Sequence, residues 1–156
     1  MDVTEPRWGS DLRLLDDLHL ADDRSRGSDL FTVRRPQTGE SDLETLSTLD
    51  NLRQALLLRF LTHQGELALL GHPDYGSRLH ELIGQPNTSS TRNRAKMFTL
   101  VALAAEPRVA RVLSVDVVSH PRQRWRIDIT ARLLPVHEDT PLNLVFPFFL
   151  DGGVPA

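Results

Sequence analysis

Cysteine is absent from this 156-residue chain, and lysine is almost absent, with Lys96 as its one occurrence. The lack of cysteine excludes disulfides, thiolate metal ligands and cysteine nucleophiles. Nearly all positive side chains are therefore arginines, which favour bidentate and partly desolvated contacts over simple solubility. A bias in genomic base composition could also favour arginine over lysine, so both explanations stay open.

Long apolar runs and an excess of basic charge are also missing. The longest apolar stretches, such as 100–105, are far too short to span a bilayer, and the first residues lack the basic and apolar regions of a secretion signal. The formal net charge is -3, so electrostatic capture of nucleic acid or of an anionic membrane is not expected. These features predict a soluble protein that is cytoplasmic at synthesis.

The composition that remains is that of an ordinary globular domain, with 40% hydrophobic and 25% charged residues. We predict an arm over residues 1–48 that belongs to the same domain, a main domain over 49–150 and a tail over 151–156. Glycine, serine and proline interrupt the arm, and acidic pairs separate its short apolar segments. With so little periodicity, the arm is expected to fold over the domain or onto a partner.

Apolar spacing predicts two long helices and a short one. The first begins near Asp50, the short one lies over 77–84, and the second long helix ends at or before Glu106 because Pro107 disfavours a helical conformation there. One apolar stripe in the first helix is so wide that we expect burial against more than one neighbour. Its members are Leu49, Leu52, Ala55, Leu56 and Phe60, widened by Leu57, Leu58 and Leu61.

The C-terminal third alternates apolar and polar residues, as in antiparallel strands covered on one face. The pattern runs through Leu113 to Val117, through Trp125 to Leu133, and through Leu142 to Phe148. Pro147 favours an edge position for the last strand because proline cannot donate a ladder hydrogen bond. We therefore predict an α+β fold in which an N-terminal arm, two long helices and a short one pack on a small antiparallel C-terminal sheet.

Catalytic and metal-binding patterns are weak. His63, His72 and His80 lie among acidic residues, but their spacing matches no metal-binding motif. The nearest pair for glycoside hydrolysis, Glu66 and Asp74, flanks a turn, and no cleft between them is visible in the sequence. No phosphate-binding glycine loop or nucleophile elbow is present. We predict no metal, no cofactor and no enzymatic activity.

The junction between the second long helix and the strands carries an acid, a proline and a guanidinium: Glu106, Pro107 and Arg108. We expect Pro107 to hold the chain extended, so that both charges project to one side. They could pair with each other or with a helix end as an exposed salt bridge of little energetic value. Alternatively, they could face the polar groups of another chain.

Several stretches, taken in order, resemble the sheath-initiator proteins of baseplate wedges. These stretches are "TLDNLRQALLLRFLTHQGEL", "HPDYGSRL" and the "EPRV" that precedes the strands, and the resemblance covers about residues 48–150. Such proteins occur in contractile phage tails, contractile injection systems and type VI secretion baseplates, and many are labelled lysozyme-like. This chain departs from the family at Leu67, where an arginine is common.

The resemblance implies a structural role without catalysis. Glu106, Pro107 and Arg108 would dock on the core-bundle proteins of the wedge. Residues from about 112 to 150 would offer a sheet edge to the sheath subunit by strand addition, although the run 141–150 could equally be an ordinary core strand. A ring of copies, six in the family, would template sheath polymerisation, with tube or hub proteins as further partners. The alternative is a peptidoglycan-degrading lysozyme-like enzyme carried by the baseplate.

Overall fold

The computed structural model describes residues 9–15 and 30–152. Within these ranges the chain forms four short strands, two α-helices and then three longer strands. In chain order the elements are β1 (Ser10–Leu12), β2 (Thr32–Arg34), β3 (Ser41–Leu43), β4 (Thr45–Ser47), α1 (Thr48–Leu61), α2 (Ser89–Ala104), β5 (Val109–Ser119), β6 (Arg126–Pro135) and β7 (Leu142–Phe149).

α1 is enclosed on most of its sides, as its wide apolar stripe predicts. Leu52, Leu56 and Leu57 are fully buried and Phe60 nearly so. Polar side chains of the same helix are buried as well, namely Asn51, Gln54 and Arg59. Because buried polar groups need partners, this helix organises contacts with several other parts of the molecule.

α2 begins and ends where local chemistry requires. The Thr88 hydroxyl accepts a hydrogen bond from the Thr91 N–H (3.2 Å), which caps the helix start. The helix ends at Ala104, ahead of Pro107, as predicted. Its buried face carries Ala95, Phe98, Ala102 and Leu103 and packs toward the sheet.

β5, β6 and β7 form an antiparallel meander in that order, so β5 and β7 are its two edges. The buried face of β6 carries Ile127, Ile129, Ala131 and Leu133, which confirms the predicted alternation. In β5 the pairing register shifts between Val112 and Ser114. This bulge inserts Leu113 as an extra residue and leaves it 39% exposed.

The expected fold is wrong in its arrangement, although the structure is α+β overall. The predicted short helix is only a 3₁₀ turn, Leu79–Leu82, so the described residues contain two α-helices. They also contain three antiparallel sheets instead of one, because β1 pairs with β4 and β2 pairs with β3. Strands of three residues are too short to display an alternating pattern, and β1 and β4 are far apart in sequence.

Gln54 of α1 binds the backbone of the N-terminal segment. Gln54 Oε1 accepts hydrogen bonds from the N–H groups of Leu14 (2.8 Å) and Leu15 (3.2 Å), and Gln54 Nε2 donates to the Leu12 carbonyl (2.8 Å). Leu15 is buried in the common core. The buried amide of Gln54 therefore satisfies backbone groups of a segment that has little secondary structure of its own.

Candidate functional site

Glu106, Pro107 and Arg108 form a turn and not the extended segment that the sequence predicted. The Val109 N–H donates to the Glu106 carbonyl at 3.0 Å, which closes a four-residue turn with Pro107 at its second position. Proline suits this position because its fixed φ matches the turn geometry. The turn exposes the Pro107 ring and directs the Glu106 side chain into the protein.

The Glu106 carboxylate lies between two guanidinium groups. Its Oε1 accepts a hydrogen bond from Arg108 Nε at 2.6 Å, and its Oε2 accepts one from Arg59 Nη2 at 3.3 Å. The Glu106 and Arg59 side chains are only 6% and 8% exposed, whereas Arg108 is 30% exposed. The two charges of the tripeptide thus pair with each other, but at a buried site that includes a third residue from α1.

The environment keeps Glu106 ionised. Burial alone raises the pKa of the Glu106 carboxyl, but the hydrogen bond and positive charge of Arg108, with a further contribution from Arg59, outweigh burial. The pKa of Glu106 therefore lies below its ordinary value. The site is held as an ionic cluster, and we call Arg59, Glu106 and Arg108 the buried charge cluster.

Tyr75 covers the other side of this cluster. The Arg59 guanidinium lies over the Tyr75 ring, 4.5 Å from its centroid, in a cation–π arrangement. Arg59 Nε is buried and has no hydrogen-bond partner within the described part of the chain. Burial is also the main cause that raises the pKa of the Tyr75 hydroxyl. Sequence reasoning missed both residues, although an arginine within a buried apolar stripe was an available signal.

The loop that carries Tyr75 projects from the end of α1. Its two ends are tied together by backbone hydrogen bonds between Thr62 and Ser77 (2.9 Å) and between Gln64 and Ser77 (3.0 Å). At its tip, in the 3₁₀ turn Ala68–Leu70, Leu69 is 100% exposed and Leu70 is 74% exposed. Two adjacent leucines without apolar cover are uncommon on a soluble surface unless the surface binds something.

A cleft of about 340 Å³ joins the loop to the turn at Pro107. Arg59 lies in its lining, and residues 71–75, Ala105 and Pro107 form the rest. The exposed leucines directly precede residues 71–75 of the cleft lining, and the exposed Pro107 belongs to the same lining. We call this combined surface the loop face, defined by Leu69, Leu70, the cleft lining and Arg108.

The histidines and carboxylates considered for catalysis lie in and around the same loop. The His63 and His80 rings stack, with centroids 4.2 Å apart. The exposed Glu66 carboxylate accepts a hydrogen bond from the His63 N–H (3.1 Å), and Asp74 is also exposed. Over residues 9–15 and 30–152, no group of three or more potential metal ligands lies close enough to hold an ion.

The two edges of the meander differ in accessibility. β5 is eleven residues long and presents exposed side chains along most of its length, including Leu113 and Val118. β7 is eight residues long, carries Pro147, and is buried at six of its positions. Pro147 was expected on an edge strand, and the strand order confirms that position. The side-chain burial also makes β7 a core strand.

Comparison with solved structures identifies a likeness to a tail protein. A crystal structure of a "putative tail lysozyme" from Geobacter sulfurreducens matches this chain with a TM-score of 0.54 and 25% sequence identity. The match covers 62% of this chain and 85% of the other. No family model and no curated protein sequence matches the chain. Within the described ranges, neither α-helix has the length and apolarity needed to cross a membrane.

The likeness supports a relationship to phage-tail or baseplate proteins. It does not extend to the sheath-initiator family in particular. The loop face and the exposed edge of the meander are the features of this chain that bear on a more specific role.

Proposed function

We propose that this chain is a structural baseplate component of a contractile, phage-tail-like machine. In this role it docks on the baseplate wedge through the loop face and templates sheath polymerisation through its C-terminal sheet. The likeness to a tail protein supports the setting. The observation that carries the docking role is the pair of exposed leucines, Leu69 and Leu70, beside the cleft and Pro107.

The physical basis for docking is burial of apolar surface. Leu69 and Leu70 are exposed in the free chain, so an apolar groove between helices of a partner could cover them and stabilise the complex by about 1.5–3 kcal/mol per leucine at most. The neck of the loop is fixed by hydrogen bonds to Ser77, so little conformational entropy is lost when the tip binds. The loop face therefore has features of a preorganised anchor.

The buried charge cluster then has a positioning role. Glu106 is too buried to reach a partner, but it fixes the Arg108 guanidinium through a 2.6 Å hydrogen bond. Of the tripeptide, Pro107 and Arg108 are the parts that reach the surface. We infer that Pro107 and Arg108 contact the wedge, whereas Glu106 holds Arg108 in place.

For sheath contact we propose strand addition at β5. Its outer backbone groups lie along an eleven-residue edge that is largely exposed, and an added strand would bind through main-chain hydrogen bonds. β7 is the less suitable edge because Pro147 interrupts its donors. Copies of the chain would form a ring, six in number, between baseplate and sheath, with tube or hub proteins as further neighbours.

A lysozyme-like hydrolase is the second candidate, and the name of the Geobacter protein favours it. Glu66 and Asp74 are both exposed on the loop, and the Glu66 carboxylate is engaged by the His63 N–H. Under this alternative, Glu66→Gln and Asp74→Asn should abolish digestion of peptidoglycan and leave particle assembly intact. We propose that the chain is not an enzyme and that neither change affects its function.

The decisive experiment is electron microscopy of particles produced from the complete gene cluster. The test variant is Leu69→Ser/Leu70→Ser, whose side chains are so exposed that folding should be unaffected. A matched control is Leu30→Ser/Val33→Ser, which changes two other residues that are each 49% exposed. Arg108→Ala tests the second contact while leaving the Arg59–Glu106 pair in place.

We expect the Leu69/Leu70 variant to give tubes or baseplates without extended sheath, and the control to give sheathed particles. Each variant chain is first shown to be folded by circular dichroism. Normal sheathed particles from the Leu69/Leu70 and Arg108 variants would rule out docking through the loop face. Loss of peptidoglycan digestion in the Glu66 and Asp74 variants would favour the enzyme instead.

A further inference from the structure

A basic recess lies at the far end of the meander, where the β5–β6 turn meets the start of α2. Its volume is about 570 Å³. Residues 86–88, which precede α2, line one side, and residues 119–122 with Arg124 and Trp125 line the other. It shares no lining residue with the loop face.

The recess has defined walls because Asn87 joins its two sides. The Asn87 Nδ2 group donates hydrogen bonds to Ser119 Oγ (2.9 Å) and to the Arg124 carbonyl (3.0 Å). Arg92 Nη1 in turn donates to Asn87 Oδ1 at 2.8 Å, which fixes the orientation of the amide. The Thr88 hydroxyl accepts a hydrogen bond from the Thr91 N–H at the start of α2. We therefore attribute the charge of the recess to the side chains that line it.

Positive charge distinguishes the lining of this recess. Arg122, Arg124 and His120 line it, and none of its lining residues is acidic. Neither Arg122 nor Arg124 forms an ion pair with any residue in the described ranges, whereas the neighbouring Arg126 pairs with Asp128 at 2.6 Å. Two guanidiniums that line one recess without an ion-pair partner in those ranges, on a chain of net charge -3, indicate a site for an anionic group.

Apolar surface adjoins these charges. Trp125 is 41% exposed, and the Arg124 guanidinium lies over its ring at 5.4 Å. Pro86 and Pro121 complete the apolar part of the lining. A ligand that carries a carboxylate next to an apolar side chain would match both halves of the recess, since aromatic and arginine side chains are the usual anchors of protein interfaces.

The number of cations argues for a protein partner over a polyanion. Nucleic-acid binding commonly neutralises about 6–10 phosphates, whereas two arginines and one histidine line the recess. We propose that this basic recess binds a short acidic segment of a partner protein, with a carboxylate on Arg122 and Arg124 and an apolar side chain on Trp125. This site is separate from the docking role and does not depend on it.

Trp125 provides the readout. Trp8 is the other tryptophan of the chain, so Trp8→Phe makes Trp125 the single fluorescent reporter in the recess. The probe is the synthetic peptide acetyl-Gly-Glu-Leu-Glu-Glu-Leu-Gly-amide, and its matched control carries glutamine in place of each glutamate. We expect saturable quenching or shift of Trp125 emission by the acidic peptide, weaker binding in high salt, and no response to the glutamine peptide.

Variants assign the binding to the recess. Arg122→Ala/Arg124→Ala should weaken binding of the acidic peptide by about tenfold. Arg132→Ala, which removes an exposed arginine elsewhere on the same sheet, should leave binding unchanged. The three substituted arginines are exposed, and circular dichroism checks that each variant is folded.

Three results would overturn the proposal. These are equal binding of the glutamic-acid and glutamine peptides, equal binding by the Arg122/Arg124 and Arg132 variants, and no binding of the acidic peptide at all. A Trp125 response to a single-stranded oligonucleotide or to phosphatidylglycerol vesicles, with none to the acidic peptide, would replace the protein partner with a nucleic acid or a lipid surface.

Discussion

Two clusters in this molecule have the same composition, one glutamate between two arginines, and very different surroundings. In the buried charge cluster, Glu106 pairs with Arg59 (3.3 Å) and Arg108 (2.6 Å) and is 6% exposed. In the second cluster, Glu81 pairs with Arg78 at 2.6 Å and approaches Arg94 at 3.9 Å, and Glu81 is 34% exposed. We call the second set the surface charge cluster.

The comparison shows that similar ion-pair distances do not imply similar contributions to the free energy of unfolding. Glu81 and Arg78 are three residues apart and meet whenever that turn forms. Glu106 and Arg59 are 47 residues apart and meet only after α1, α2 and the loop have packed. Water screens the surface charge cluster, whereas the buried charges depend on one another for solvation.

The largest expected effect comes from substituting the glutamate of the buried charge cluster, compared with the same substitution in the surface charge cluster. Glu106→Gln should lower the free energy of unfolding by about 3–5 kcal/mol, because it leaves the Arg59 guanidinium buried without a countercharge. Glu81→Gln should change it little. Urea unfolding of the two variants measures the difference, and similar losses in both would contradict it. Adding Arg59→Met to Glu106→Gln should recover part of the loss by removing the unpaired charge.

Glycine substitutions test how rigidly the loop holds Tyr75 against the buried charge cluster. Gly76 follows Tyr75, has φ +104°, and a Cβ there would lie 2.7 Å from the carbonyl oxygens of Thr62 and His63. Gly71 also has a positive φ, +88°, but a Cβ there would meet nothing within 4 Å. Gly71→Ala should cost about 1–2 kcal/mol from backbone strain alone.

Gly76→Ala should cost more than Gly71→Ala, since backbone atoms must shift and the Tyr75 ring would move from Arg59. Thermal unfolding followed by circular dichroism compares the two variants. Equal costs would mean that the wall of the loop adapts without moving Tyr75.

The contributions of the two clusters to stability should also respond differently to pH and salt. Both glutamates have pKa values below the ordinary value of 4.5: Glu81 mainly through its hydrogen bond with Arg78, and Glu106 through its two arginines in spite of burial. A lowered folded-state pKa gives stability that is present above about pH 4.5 and is lost as the pH falls through the folded-state value.

The advantage of the native chain over Glu106→Gln should therefore shrink below pH 4.5. At neutral pH that advantage should persist in molar salt, whereas any advantage over Glu81→Gln should vanish. Urea unfolding at several pH values and salt concentrations measures both. A salt-sensitive Glu106 contribution would show that water reaches the buried charge cluster.

The smallest expected effect is on the hydroxyl of Tyr75, the chain's single tyrosine. Burial raises the pKa of Tyr75 above its ordinary value of 10.0, and the negative charge of Glu106 adds to this rise. The corresponding stability is present below pH 10.0 and is lost as the pH rises through the folded-state value.

Phenolate absorbance should therefore show a titration above pH 10.0 in the native chain and a lower pKa for Tyr75 in folded Glu106→Gln. The surface variant Glu81→Gln serves as the control and should titrate like the native chain. An unchanged titration in Glu106→Gln would mean that Glu106 does not act on Tyr75.

Prediction from sequence was reliable where the cause is local. The apolar stripe of α1, the end of α2 before Pro107 and the alternation in β6 all follow from neighbours within a few residues. Prediction failed where partners are distant or segments are short. The pairing of β1 with β4 and of β2 with β3, the 3₁₀ geometry at Leu79–Leu82 and the turn at Glu106 belong to that group.

The candidate site was predicted in part. Glu106, Pro107 and Arg108 were selected from the chain, but Arg59, Tyr75 and the exposed Leu69 and Leu70 were not. Leucines in a loop cannot be recognised as exposed until the packing of the loop is known, because their composition equally suits a core. The assignment of the tripeptide to a partner surface stays a prediction.

The sequence by itself determined which segments become α1, α2 and the meander, and it excluded thiol chemistry, because periodicity and residue type act over short distances. Only the tertiary structure decided that Glu106 lies between Arg59 and Arg108, that Leu69 and Leu70 remain uncovered, and that Arg122 and Arg124 have no acidic partner within residues 9–15 and 30–152. Those outcomes depend on which distant groups cover a charge or an apolar side chain and which leave it in water, and that is settled only after the chain has packed.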